Sequence, residues 1–281
     1  MESEYLKLLQ DVQMFGEPHK DRTGVGTKSL FGEQIRCDLM NGFPLLTTKK
    51  MPWKNTFHEL MWFLSGSTNI SDLPVATQPW WTPWASGTGE LGPIYGRQFR
   101  DARSFIEVGV RHMTQAVQID QLQEVLRQIA DEPYSRRILM TTWNAADVPY
   151  MNLPPCHGVV VQFKCYEDGR LSLSMYQRSA DLFIGVPVNI ASYALLLHMI
   201  ASVTGRTPYQ LIISFGDVHI YSNHVSQVEE QLSRSARPLP ILRVDPPDGK
   251  TSLAKLLNFT LDHLQLDGYD PHPAIKAEVA V

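Results

Sequence analysis

The chain has 281 residues, of which 43% are apolar, enough to bury the core of one large domain. Its net charge of −4 provides no broad basic field, so nucleic acid is excluded as a default partner, although a local arginine cluster could still hold a small anion. The odd count and wide spacing of Cys37, Cys156 and Cys165 argue against a disulfide framework or a zinc ribbon, and with Glu2, Glu4, Lys7 and Asp11 interrupting any apolar leader, they indicate a reduced, cytoplasmic chain.

In chain order, Tyr5, Leu8, Leu9 and Val12 recur at helical spacing and predict an opening helix. Residues 21–27 (DRTGVGT) read as a loop, and residues 29–38 alternate as one strand. Phe57, Leu60, Met61 and Leu64 predict a helix ending near Gly66. Residues 74–95, crowded with proline, glycine, Trp80, Trp81 and Trp84, read as a long irregular stretch of the kind that carries function. Residues 119–130 are helical in pattern. Strands are expected over 137–143, 158–166 and 171–176, the last two joined by the turn Glu167-Asp168-Gly169. The apolar run 184–203 holds Pro187, Asn189, Ser192, His198 and Ser202, so it reads as a buried helix over 188–203 and not as a membrane span. A strand over 209–215, a helix over 219–233 and short strands in the tail complete the reading. One α+β domain, 1–281, with a mixed sheet packed by helices, is the simplest architecture.

The chemistry-bearing residues fall in several places. Pro154-Pro155 stiffens the backbone before Cys156 and His157, which suits a nucleophile that needs a set trajectory; a buried structural cysteine is the alternative. Arg22, the adjacent Arg136 and Arg137, and Arg178 followed by Ser179 could hold a phosphate by bidentate contacts, although each alone could equally be a surface ion pair. The segment from Gly216 through Asp217, His219 and Tyr221 to His224 is dense in hydrogen-bonding groups and reads as a capped helix start. The five-residue spacing of His219 and His224 excludes a metal pair on one helix face. Asn189 could cap the apolar helix or read the edge of a uracil base. Glu59, on an apolar helix, could carry a raised pKa suited to proton transfer, or could face solvent.

Together these segments resemble the thymidylate synthase family, almost end to end. The match includes Asp21-Arg22-Thr23-Gly24, Phe43-Pro44-Leu45-Leu46-Thr47-Thr48-Lys49, His58-Glu59-Leu60-Met61-Trp62, Gly92-Pro93-Ile94-Tyr95-Gly96, Ser135-Arg136-Arg137, Pro155-Cys156-His157, Gln177-Arg178-Ser179, Asn189-Ile190-Ala191-Ser192-Tyr193, Gly216-Asp217 and Gly268-Tyr269-Asp270-Pro271-His272-Pro273. The resemblance implies a homodimer formed through the sheet. Its substrates would be dUMP and 5,10-methylenetetrahydrofolate, with no metal and no requirement for nucleic acid or membrane. Arg22, Arg178 and Ser179 would hold the phosphate, with Arg136 and Arg137 supplied by the other subunit. Cys156 would attack C6 of the pyrimidine, supported by Tyr95 and His157, while Glu59 organises proton transfers. Asn189, Asp217, His219 and Tyr221 would hold base and sugar. Asp181, Trp81, Trp84 and Lys49 would meet the folate, and Val281 would close over the site.

Departures from the family pattern cluster on the expected folate side. Val188 stands where the family usually has phenylalanine, Trp80 where it has an aliphatic residue, Thr82 where it has aspartate, and Phe99 where it has tryptophan. Loss of one ring and gain of another suggest a reshaped pocket, which requires Trp80 and Val188 to face one cavity. Because these walls exclude water, they bear on whether the product is methylated or hydroxymethylated, and methylation is the favoured expectation. Asn189 favours a uracil over a cytosine nucleotide. A catalytically silent nucleotide binder is the reading from another class; it would form no covalent adduct.

Overall fold

The computed structural model describes residues 1–108 and 113–280. Its helices form where apolar side chains recur at helical spacing. In α1 (Glu2–Phe15), Tyr5, Leu8, Leu9 and Val12 make a buried stripe. In α2 (Trp53–Ser65), Phe57, Leu60, Phe63 and Leu64 do the same, and Gly66 ends the helix at φ 87° in the left-handed region. Two shorter helices follow, α3 (Tyr95–Arg100) and α4 (Gln121–Asp131), the latter capped by the Asp120 carboxylate accepting from the Gln123 N–H. Helix α5 (Gly185–Val203) is long and apolar enough to cross a membrane, yet 89% of its apolar window is buried inside the protein, so it is a core helix. Helices α6 (Val225–Leu232) and α7 (Ser252–Leu257) lie nearer the C-terminus.

The strands are β1 (Glu17–His19), β2 (Thr27–Phe31), β3 (Gln34–Asp38), β4 (Ala102–Val108), β5 (Met113–Ile119), β6 (Leu139–Thr141), β7 (Val160–Cys165), β8 (Arg170–Asp181), β9 (Thr207–Tyr221), β10 (Ile241–Val244) and β11 (Leu264–Asp267). Seven of them make one sheet in the order β1-β2-β9-β8-β7-β6, with β3 pairing further along β9. The pair β8 and β9 is parallel, whereas β2, β3 and β7 join it antiparallel. Parallel neighbours cannot be joined by a hairpin, and α5 makes the crossover, packing on both strands and on α2. Leu171, Leu173 and Met175 of β8 and Leu211, Ile213 and Phe215 of β9 alternate into the core and are all buried. The architecture is therefore α+β, a mixed sheet packed by helices, as the sequence indicates.

Several elements differ from their sequence-based boundaries. The strand expected over 29–38 is broken at Gly32, whose φ is 89°; both halves nevertheless pair with β9 in one continuous register. The strand expected over 137–143 shortens to β6, and β8 runs on to Asp181, taking Arg178 and Ser179 into the sheet. Helix α5 begins at Gly185, so Asn189 lies within it and is no cap. The largest change concerns the helix expected over 219–233. Pairing with β2 and β8 holds residues 216–221 in β9, and the α-helix starts only at Val225. The antiparallel pair β4 and β5 carried no recognised signal.

Gly96 of α3 lies where α3 meets the C-terminal end of α2, and a Cβ there would stand 2.8 Å from the Ser67 carbonyl oxygen and 2.9 Å from that of Phe63. Both obstacles are backbone. Gly96→Ala is therefore expected to destabilise the fold by roughly 1–3 kcal/mol, measured as a lower urea midpoint; an unchanged midpoint would show that the two helices separate without cost.

Candidate active site

A cavity of about 1010 Å³ opens between α2, the N-terminal end of α5, the loop carrying Cys156 and the tail. Its walls include Lys49, Glu59, Trp80, Trp81, Trp84, Tyr95, Cys156, His157, Asp181, Val188 and Asn189, with Ile275 to Val279 from the tail. The parallel register of β8 and β9 sets Ser179 opposite Asp217 and Asp181 opposite His219. The C-terminal ends of two parallel strands thus collect polar side chains at one edge, the usual place for a ligand crevice in sheets with parallel strands.

Arg178 laces the loop of Cys156 to β8. Its backbone N–H donates to the Cys156 carbonyl at 2.8 Å, and its guanidinium donates to the carbonyls of Pro155 at 2.8 Å and Pro154 at 2.9 Å. The guanidinium also lies 5.3 Å over the Trp143 ring. The Cys156 N–H donates to the Tyr95 hydroxyl at 2.9 Å, and that hydroxyl lies 3.4 Å from the Cys156 sulfur. Burial pushes the thiol pKa up, while the Tyr95 hydrogen bond and the Arg178 charge pull it down. Free thiol and cationic neighbour are thus held at fixed distance, on a cysteine partly exposed to the cavity.

Glu59 is buried on α2, and burial raises its pKa to about 7 despite a 2.7 Å hydrogen bond from the Trp81 indole N–H, which favours the carboxylate. A carboxyl group that titrates near neutrality can both give and take a proton. Around it, Phe63 stacks on Tyr95 with ring centroids 4.7 Å apart, and Trp81 meets both edge-on. His157 lies 4.6 Å from the Tyr95 ring, and its Nδ1 is 3.0 Å from the Tyr193 hydroxyl. Burial lowers the His157 pKa to about 3, so the imidazole is neutral. Gly158 sits at φ 62°, and a Cβ there would strike the Tyr193 hydroxyl at 2.1 Å.

Asn189 is buried, and its amide oxygen accepts from the Gln177 side chain at 3.0 Å. One acceptor position and the amide NH2 group remain for a ligand. Asp217 pairs with His219 Nδ1 at 2.7 Å, which lowers the carboxyl pKa. Tyr221 is within electrostatic reach of Asp181, Arg22 and Cys156. The Asp181 carboxylate accepts from the N–H groups of Phe183 and Ile184 and turns the chain from β8 into α5.

The structure thus brings together Cys156, Glu59, Tyr95, His157, Asn189, Asp181, Trp81, Trp84 and Lys49. Ser179, Asp217, His219 and Tyr221 line the adjoining strand ends. Lys49 is turned inward: its ammonium donates to the Phe183 carbonyl and lies 3.5 Å over the Phe183 ring, and burial lowers its pKa to about 7. Trp80 and Val188 do face the same cavity. Arg136 and Arg137 are exposed and border other concavities. Val281 lies outside the described residues. Sequence reasoning did not single out Tyr193, Gln177, Phe63 or Trp143. Tyr193 lies four residues after Asn189 on one helix face, a spacing that pointed to it; Trp143 gave no local signal. Among the described residues, no cluster of three or more His, Cys, Asp or Glu side chains could hold a metal ion.

The family model described as Thymidylate synthase matches residues 3–281.

Two outcomes follow from the geometry. Trp81→Phe removes the indole hydrogen bond that favours ionised Glu59. Its pKa should climb above 7 by on the order of one unit, the equivalent of about 1.4 kcal/mol; a carboxyl-carbon NMR titration that showed no upward movement would refute the assignment. Tyr95→Phe keeps the stacked ring but removes the hydroxyl at Cys156. Alkylation of Cys156 by iodoacetamide should then slow, with its pH midpoint moved upward, and an unchanged profile would show that Tyr95 has no hold on the thiol.

Proposed function

Because the chain belongs to the thymidylate synthase family, we propose that it methylates dUMP at C5, taking the carbon from 5,10-methylenetetrahydrofolate through a Cys156 adduct and releasing dTMP and dihydrofolate. One-carbon transfer to dUMP with this folate as co-substrate is the family's general reaction. The observation that carries the reading for this chain is the shared cavity. The sulfur of Cys156, the carboxyl of Glu59 and the amide of Asn189 occupy its walls together.

In this reading, the Cys156 thiolate adds to C6 and electron density moves to C5, which bonds to the folate methylene as one folate C–N bond breaks. Loss of the C5 proton breaks the other C–N bond and frees tetrahydrofolate. The tetrahydrofolate gives a hydride to the exocyclic methylene and leaves as dihydrofolate as the Cys156 thiolate departs from C6. Arg178 and Tyr95 favour the thiolate, against burial. Asn189 offers an acceptor to N3–H and a donor to O4, the uracil pattern. Glu59, with its pKa near 7, moves protons between the pyrimidine and solvent during addition and release. The Trp80, Trp81 and Trp84 wall and the tail hold water off the one-carbon adduct until hydride arrives. Asp217, His219 and Tyr221 hold the base and sugar. Arg22, Arg178 and Ser179 serve the phosphate from this chain, with Arg136 and Arg137 reaching it from a second copy, in keeping with their exposure away from the cavity. Arg178 can do so only by sharing a guanidinium already bonded to two carbonyls.

One observation favours a second product. Val188, an aliphatic side chain, lines the same cavity as Trp80, and a gap at its wall would admit water to the adduct and yield 5-hydroxymethyl-dUMP with tetrahydrofolate. The test is to incubate the protein with both substrates and identify both products by mass spectrometry. dTMP with dihydrofolate is the expected pair; the hydroxymethyl nucleotide with tetrahydrofolate would replace the methylation reading. Cys156→Ala should still bind dUMP and give no product, and full turnover by that variant would overturn the covalent mechanism.

A further inference from the structure

A second convergence of hydrogen bonds lies behind the cavity wall. Glu2 is only 4% exposed. Its carboxylate accepts from the Thr47 N–H at 2.9 and 3.0 Å, the Thr47 hydroxyl at 2.7 Å, the Thr48 N–H at 2.8 Å and the Thr48 hydroxyl at 2.8 Å. Both residues are themselves junctions. The Thr47 carbonyl accepts from the His272 N–H at 2.7 Å, and its hydroxyl oxygen from the Arg237 N–H at 2.8 Å. The Thr48 hydroxyl oxygen accepts from the Gln231 amide at 2.9 Å. One Arg234 nitrogen donates both to the Thr48 carbonyl at 2.8 Å and to the Pro273 carbonyl at 2.6 Å.

Two cavity walls leave this junction. The next residue along the chain is Lys49, whose ammonium reaches the Phe183 carbonyl just before α5. Two residues beyond Pro273, the tail stretch from Ile275 to Val279 lines the same cavity. A buried carboxylate whose donors all come from two consecutive residues has few alternative geometries, and its charge-assisted bonds are about twice as strong as neutral ones. We propose that Glu2 is a positioning residue for the folate side of the cavity: by fixing Thr47-Thr48 it sets the places of Lys49 and of the tail, and so the affinity for the second substrate. It touches neither substrate. The nucleotide side, built from the ends of β8 and β9 and the Cys156 loop, makes no hydrogen bond to Thr47 or Thr48 among the described residues.

The inference rests on folate being the second substrate. Glu2→Gln keeps the shape and one acceptor oxygen but turns an NH2 group toward the donors; Glu2→Ala leaves a carboxylate-sized hole lined by four donors. Both variants should raise the KM for methylenetetrahydrofolate on the order of tenfold, with dUMP affinity unchanged. Added acetate should lower that KM again in Glu2→Ala and should not do so in the wild-type protein. A folate KM left at the wild-type value in Glu2→Gln, with only the melting temperature reduced, would overturn the proposal and leave Glu2 as an anchor of α1. Should Glu2→Ala fail to fold, Glu2→Gln decides the matter by itself. A wild-type protein that consumes no methylenetetrahydrofolate would refute the functional reading; wild-type turnover with an unmoved folate KM in Glu2→Gln would refute this inference alone.

Discussion

The parallel pairing of β8 and β9 is the constraint on which the site depends. Two parallel neighbours need a crossover, and α5 supplies it, so the helix must start at the very end of β8 and return across the sheet. That path places Asn189 about one turn and Tyr193 about two turns into the helix, where they meet Gln177 of β8 and His157 of the Cys156 loop. The same pairing keeps Asp217, His219 and Tyr221 extended in β9, where a run of polar residues alone would have turned into a helix start. One register therefore assembles residues from three stretches of chain.

Chemistry in the cavity is set by opposed electrostatic effects. Desolvation raises the pKa of both Cys156 and Glu59 and drives His157 neutral. Single polar contacts work against it: Tyr95 and Arg178 at the thiol, Trp81 at the carboxyl. The aromatic cluster of Phe63, Trp81, Tyr95 and His157 has two consequences at once. It excludes water from the reacting groups, and its N–H and O–H groups return part of the polarity that exclusion removes. A site built this way brings the Glu59 carboxyl to about 7, while at the thiol the Tyr95 hydrogen bond and the Arg178 charge offset part of the upward push of burial.

The two sides of the cavity are anchored differently. The side that carries Cys156 and Asp181 is part of the sheet and of the loop that Arg178 laces to it, so its geometry follows from strand register. The side that carries Trp80, Trp81, Trp84, Lys49 and the tail is made of irregular chain outside the seven-stranded sheet. Lys49 and the tail are tied to Thr47-Thr48, whereas the irregular stretch is held by the Trp81 indole donating to Glu59 and the Asn152 amide donating to the Trp84 carbonyl. The departures from the family pattern, Trp80 and Val188, line the same cavity. A wall held by discrete contacts can change its lining without disturbing the sheet.

Local sequence determined a great deal. The helical spacing of Tyr5, Leu8, Leu9 and Val12, the stop at Gly66 and the turn before β8 are short-range signals, and each appears as expected, because they depend on neighbours along the chain. Pro154-Pro155 before Cys156 and the apolar setting of Glu59 raised chemistry beside a structural alternative from residue type alone, and the fold shows Glu59 buried and both residues on one cavity. What sequence left open was whatever a distant partner decides. Residues 216–221 are extended because β2 and β8 pair with them, Asn189 is inside a helix because the crossover starts at Gly185, and Glu59 titrates near 7 because burial outweighs the bond from Trp81, which is 22 positions away in sequence. Backbone pairing and desolvation are properties of the folded chain, and no local pattern encodes which strand will arrive or how much water will leave.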